Sequence, residues 1–193
     1  MIPVLYSCVT GSYDKVERTI LASNPEFKLN APIRFVLFTD SVTNPTTTKP
    51  HNIEWELQPL RWSYGTDRRR MSRWHKVNSH LLFPDTKTIW ADGSQVLIAD
   101  PLPLLEFAKP IGTFRHPERT CIYQEVEACV RLRKDNPILM HNQVEHYQHD
   151  WKYPAYNGLV ETACVVRDGS DDVANSTRFM DRDQSNSRLG NGR

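Results

Sequence analysis

The stretch IWADGSQVLIADP, residues 89–101, joins two apolar runs through an acidic, glycine-containing turn. A run of β-branched and aromatic residues ending in Asp-Gly reads as a buried strand at the point where it leaves its sheet. In open α/β sheets, ligands settle outside the carboxyl ends of the strands, so Asp92 stands where a ligand would be held. Gly93 lets the main chain turn and approach a ligand closely. The Asp92 carboxylate can hold a hard divalent cation, and the Ser94 hydroxyl can add a ligand or orient a water. Magnesium and manganese favour such oxygen donors and share them with substrate phosphates. Asp-Gly is also an ordinary turn pair, and the tripeptide alone leaves both readings open.

Working outward, strand-like runs recur at 3–9, 33–39, 88–91, 112–115 and 161–167. Segments of helical spacing lie between them. Over 67–82, Met71, Trp74, Val77 and Leu81 recur at steps of three and four, the stripe of an amphipathic helix. Asp100 and Pro101 form a helix start ahead of LPLLEFA. Residues 121–133 and 138–149 read as two more helices, the second offering Ile138, Val144 and Tyr147 for burial. Strands alternating with helices predict an α/β domain with a largely parallel sheet. The polar segment 41–52, with two prolines, reads as a surface loop.

The chain has 193 residues, enough for one domain with a substantial core. A hydrophobic fraction of 39% and a charged fraction of 24% argue against disorder. The net charge of +1 gives no general attraction to nucleic acid or anionic membrane. No run is long enough to span a membrane as a helix, and MIPVLYSCV reads as a first strand, not a signal peptide. Cys8, Cys121, Cys129 and Cys164 form no CxxC pair, so free thiols in a reducing, cytoplasmic setting are expected. The tail SNSRLGNGR ends as a domain cut from a longer chain would.

Several other residues could carry chemistry. Arg69, Arg73, Lys76 and His80 share one face of the 67–82 helix. A solvated cationic face is one reading. The other is that Arg73 and Lys76 meet a diphosphate, whose oxygens suit cationic donors. The loop TGSYD (10–14) follows the first strand, where α/β nucleotide sites begin, although it is neither a GxGxxG nor a Walker loop. Tyr13 can stack on a base, and Asp14 or Asp40 can bond a ribose or base edge. FRHPERTCIYQE (114–125) gathers Arg115, His116, Arg119 and Glu125, readable as a surface network or as an acceptor or sugar pocket. Glu161 and Asp183 are late carboxylates that could flank a reacting carbon.

The order of these elements carries a resemblance. Tyr13-Asp14, FTD at 38–40, Arg73, Lys76 and His80 as R-x-x-K-x-x-x-H, and IWADGS at 89–94 are followed by HPERTCIYQE at 116–125. Gln143 with Tyr147, GLVET at 158–162 and RDQS at 182–185 continue the series. This succession resembles a family of glycosyltransferase-like proteins of plants, bacteria and large viruses, over nearly the whole chain. The resemblance implies a GT-A fold, a nucleotide-sugar-binding α/β domain with a mixed, mostly parallel sheet flanked by helices, occupying residues 1–193. It implies transfer of a sugar from a nucleoside diphosphate donor, of the UDP-sugar class, to a hydroxyl of a glycan or glycoprotein acceptor. It also implies Mn2+ or Mg2+ at a DxD-type motif, with Asp92 and Ser94 in the DxD place. Ser94 replaces the second aspartate, which leaves the cation cage for another residue to complete. With that fold, the residues read above as donor contacts are Tyr13, Asp14, Asp40, Arg73, Lys76, Asp92, Gly93 and Ser94. His116, Arg119, Glu125 and Gln184 line the acceptor or sugar pocket, and Asp183, then Glu161, face the reacting centre. A nucleotidyltransferase that makes the nucleotide sugar, and a non-catalytic nucleotide- or glycan-binding module, are the alternatives.

Overall fold

The computed structural model describes residues 1–11, 28–40 and 55–170. Tyr13, Asp14, Asp183, Gln184 and the loop at 41–52 lie outside the described residues. The chain divides into two compact units, Met1–Gly112 with Ala163–Arg193, and Thr113–Thr162.

The described strands are β1 (Val4–Val9), β2 (Arg34–Thr39), β3 (Trp55–Pro59), β4 (Thr88–Ala91), β5 (Ile111–Arg115) and β6 (Val160–Arg167), in a sheet of order β3-β2-β1-β4-β6-β5. β1 pairs in parallel with β2 and β4, and β2 in parallel with β3, while β4 pairs antiparallel with β6. The expected α/β class with a mixed, mostly parallel sheet is therefore met.

β1 is covered on both faces, and all six of its residues are buried, which is why its sequence reads as unbroken apolar chain. Alternation along the strands sorts the core. Val4, Tyr6, Cys8, Val36, Phe38, Trp90 and Val165 share one face, whereas Leu5, Phe35, Ile89, Ala91, Ala108 and Val166 share the other. Full burial of one such large side chain is worth roughly 1.5–3 kcal/mol, so the sheet centre anchors everything attached to it.

Two helices follow β3 in this unit, α1 (Arg68–Val77) and α2 (Ser79–Leu82). Asp67 caps α1, its Oδ1 accepting from the Arg70 N–H at 3.0 Å. The helix expected over 67–82 breaks at Asn78, whose N–H and Nδ2 both donate to the Trp74 carbonyl. The break explains a shifted stripe: Met71 and His75 are the buried residues of α1, and Leu81 is 62% exposed. The helix expected after Pro101 forms, as a 3-10 helix over Leu102–Phe107.

Thr113–Thr162 holds α3 (Ile122–Arg131) and α4 (Pro137–His149). Asn136 caps α4 through Oδ1 and Pro137 opens it, the residue types that favour a helix start. No residue of α4 is buried, and Ile138, expected inward, is 68% exposed.

Candidate donor site at the end of strand β4

β4 delivers Asp92 at its carboxyl end, as its sequence predicts. The Asp92 N–H donates to the Ala163 carbonyl at 2.8 Å, so the pairing with β6 runs one residue past the strand and fixes the backbone there. The turn closes where the Gln95 N–H donates to the Asp92 carbonyl at 2.9 Å. Within it Gly93 is buried and Ser94 exposed.

The Asp92 side chain meets two donors on one oxygen. Trp90 Nε1 donates to Oδ1 at 2.6 Å, and Lys76 Nζ donates to the same oxygen at 3.1 Å. The Lys76 ammonium also lies 5.7 Å from the centre of the Trp90 ring. Its side chain is 16% exposed, that of Asp92 39%. Burial pushes the Lys76 ammonium below its ordinary value against the pull of Asp92, and the charges of Arg73 and Arg167 press the same way as burial. A lysine charged at a cost, beside a carboxylate at a strand end, makes this pair the candidate site of the described residues.

The amino-terminal end of α1 is tied to the end of β1. Arg68 Nη1 donates to the Gly11 carbonyl at 3.2 Å, and the Thr10 hydroxyl donates to the Arg68 carbonyl at 3.1 Å. The Gly11 N–H donates to Asp40 Oδ1 at 2.8 Å, so Asp40 braces the loop after β1. Gly11 has a φ of +60°, which strains any other residue, and a Cβ there would fall 1.8 Å from Arg68 Nη1 and push the guanidinium aside. Further along α1 the Ser72 hydroxyl donates to the Cys8 carbonyl at 3.1 Å, and the Tyr6 hydroxyl to the Lys76 carbonyl at 3.3 Å. The helix thus descends beside β1 and sends Lys76 up to Asp92. Arg73 is exposed, close enough for its charge to act on Lys76.

For a divalent cation, the described residues offer Asp92 Oδ2, which takes no hydrogen bond from them, and the exposed Ser94 hydroxyl. These are hard oxygen donors of the right kind. Their number falls short, because no group of three His, Cys, Asp or Glu is placed to hold a metal among the described residues.

In Thr113–Thr162 the predicted acceptor residues close on one another. His116 Nδ1 accepts the N–H groups of Glu118 and Arg119 at 3.2 and 3.1 Å, and its Nε2 lies 3.3 Å from Arg119 Nη2 and 3.5 Å from Glu125 Oε2. Arg119 Nε donates to the same Glu125 oxygen, and Cys129 Sγ donates to the other at 3.3 Å. Burial raises the Glu125 carboxyl, but the bonds from Arg119 and Cys129 and the charges of Arg119 and His116 together hold the group below its ordinary value. Glu161 lies on β6, its carbonyl accepting from the Thr113 hydroxyl. All four cysteines are free thiols, and burial pushes Cys8 up to about 12.

The sequence over residues 2–171 matches the TOD1/MUCI70, glycosyltransferase-like domain. The chain belongs to this family. Among solved structures, this TOD1/MUCI70 domain is similar to the apo structure of WbbM, a bifunctional glycosyltransferase, with a TM-score of 0.54 at 14% identity. That likeness concerns the fold. The match covers 91% of this chain and 32% of the other, so the chain spans about a third of that enzyme's length. No curated protein matches the chain. Among the described residues no helix is long and apolar enough to cross a membrane.

Residues the sequence reading passed over stand beside those it singled out. Trp90 donates to Asp92, and its position two residues earlier on the same strand face could have pointed to it. Arg68 lies one residue off the cationic stripe. Tyr6 and Arg167, 70 and 91 positions from Lys76, carry no local signal.

Proposed function

We propose that this TOD1/MUCI70 domain is a glycosyltransferase that moves a sugar from a nucleoside diphosphate donor, UDP-linked, to a hydroxyl of a glycan or glycoprotein acceptor. The observation that carries the reading is the half-buried Lys76–Asp92 pair at the carboxyl end of β4. In the reaction, the bond between the anomeric carbon and the diphosphate oxygen breaks with its electron pair leaving on the diphosphate. The acceptor oxygen forms the new bond and loses its proton to a carboxylate base. Negative charge therefore grows on the diphosphate, and preorganised cations lower the barrier to that growth. Lys76 holds such a charge where little water screens it, and Arg73 adds to the same field.

The nucleoside belongs at the loop after β1, with Asp40 and the preceding Asp14 as polar partners and Tyr13 as a stacking ring. Asp183, and after it Glu161, are proposed as the carboxylates of the reacting centre. His116, Arg119, Glu125 and Gln184 are proposed for the acceptor or sugar. Mn2+ or Mg2+ would be held by Asp92 Oδ2 and Ser94, and when bound it supplies charge neutralisation for the diphosphate.

The test is thermal. UDP with Mn2+ is expected to raise the Tm more than either alone, since each binds the folded state, and a panel of nucleotide sugars under the same conditions reports the base and sugar. A melting curve indifferent to UDP, to Mn2+ and to both together would refute the donor site.

A further inference from the structure

Arg167, near the end of β6, is a cation kept dry. It is 4% exposed, and its Nε and Nη1 have no hydrogen-bond partner among the described residues. Directly opposite it on β4 stands Thr88, whose buried hydroxyl is likewise unpartnered. No carboxylate among the described residues pairs with it. An isolated buried charge is costly, so the residue is poorly explained as a stabiliser of the fold.

Its bond to the main chain is informative. Arg167 Nη2 donates to the Lys76 carbonyl at 2.8 Å, and the Tyr6 hydroxyl donates to the same oxygen at 3.3 Å. That carbonyl lies in the last turn of α1, where the break at Asn78 leaves acceptors without helical partners and the helix presents its negative end. Arg167 thus grips the peptide of the residue whose ammonium reaches Asp92. Tyr6 joins the same assembly through its ring, packed edge-on against Trp90 at 5.2 Å, and Trp90 in turn donates to Asp92.

We propose that Arg167, with Tyr6 as its partner, is a positioning residue of the donor site, anchoring the Lys76 main chain so that the ammonium is held ready for a diphosphate. The inference rests on the donor-site reading given above. It separates function from stability, because removing the guanidinium relieves a buried charge and loosens Lys76.

The experiment measures UDP affinity by calorimetry in the presence of Mn2+, and Tm without ligand, on the full chain. Arg167→Met keeps an unbranched, flexible stem and removes the donors. It is expected to weaken UDP binding about tenfold, the effect of one charge-assisted hydrogen bond, with an unchanged or higher Tm. Arg167→Lys, which can still offer one donor to the carbonyl, is expected to bind UDP within about threefold of wild type. Wild-type affinity in Arg167→Met overturns the inference. So does a fall of affinity and Tm together in both variants, the mark of a purely structural role. Lys76→Ala run alongside separates the two claims: wild-type UDP affinity there overturns the donor-site reading itself, and this inference with it.

Discussion

Lys76 with Asp92, and His116 with Arg119 and Glu125, are two groupings of opposite charges, and they differ in how far their bonding capacity is spent. Asp92 takes both its donors on Oδ1 and keeps Oδ2 clear of the described residues, while Lys76 uses its ammonium on Asp92 and the Trp90 ring. Glu125 has both oxygens engaged, and His116 Nδ1 is shared by two main-chain N–H groups. An ion pair with unspent capacity and a burial cost can be rearranged by a ligand. A closed network holds its own loop in place, and a ligand must break it to use it. Reactivity is therefore expected to concentrate at the first grouping and local stability at the second.

The largest effect that can break this contrast is loss of chemistry. Asp92→Asn keeps the shape of the side chain and removes its charge. Donor turnover with Mn2+, measured as UDP release, is expected to fall at least about 100-fold, the range for removing one preorganised electrostatic group. The Tm should change little, because the pair is open to solvent on the Asp92 side. Full activity in this variant would strike Asp92 from the mechanism.

The second grouping should show the reverse. Glu125→Gln removes the charge that holds Arg119 and His116, and a lower Tm, by a few degrees, is the expected outcome. UDP affinity should stay as it was. A variant with native Tm and altered nucleotide binding would exchange the roles of the two groupings.

How much of this was legible beforehand follows from where each interaction is decided. β1, β2 and β4 announce themselves as apolar runs because both faces of the sheet are covered there. β3 was missed, since WELQP is a half-buried edge strand whose only signal is the alternation of Trp55 and Leu57 with Glu56 and Gln58, ended by Pro59. On α1 the predicted stripe gave Trp74 the place that His75 takes. His75 behaves as a core residue because its neutral ring is satisfied: Nε2 accepts from the Arg61 N–H at 2.9 Å and Nδ1 donates to the Met71 carbonyl at 2.7 Å. A pattern that scores histidine as polar cannot see this. Asp92 was legible from its own strand end, whereas its pairing with Lys76 depends on α1 running back along β1. Arg167 closes the strand run 161–167 with nothing local to mark it, and only the fold turns it inward.

The smallest effect sharpens the contrast by pH. Burial lowers the pKa of His75 below its ordinary value of 6.5, so the folded protein resists a proton that the unfolded chain accepts. Stability from His75 is therefore present above about pH 6.5 and declines as the pH falls below it, by at most about 1.4 kcal/mol per pH unit for one proton. The depressed Glu125 carboxyl acts lower on the scale. Its contribution stays intact above its ordinary value of 4.5 and is lost as the pH falls through the folded value. Denaturant melts between pH 7 and 3 should accordingly show two declines, the first removed by His75→Gln, which keeps an acceptor for the Arg61 N–H, and the second made shallower by Glu125→Gln, with Glu56, held low by Arg34, supplying part of the remainder. A first decline that survives His75→Gln would mean that another group beneath α1 takes up the proton, and the neutral, core-like histidine would have to be abandoned.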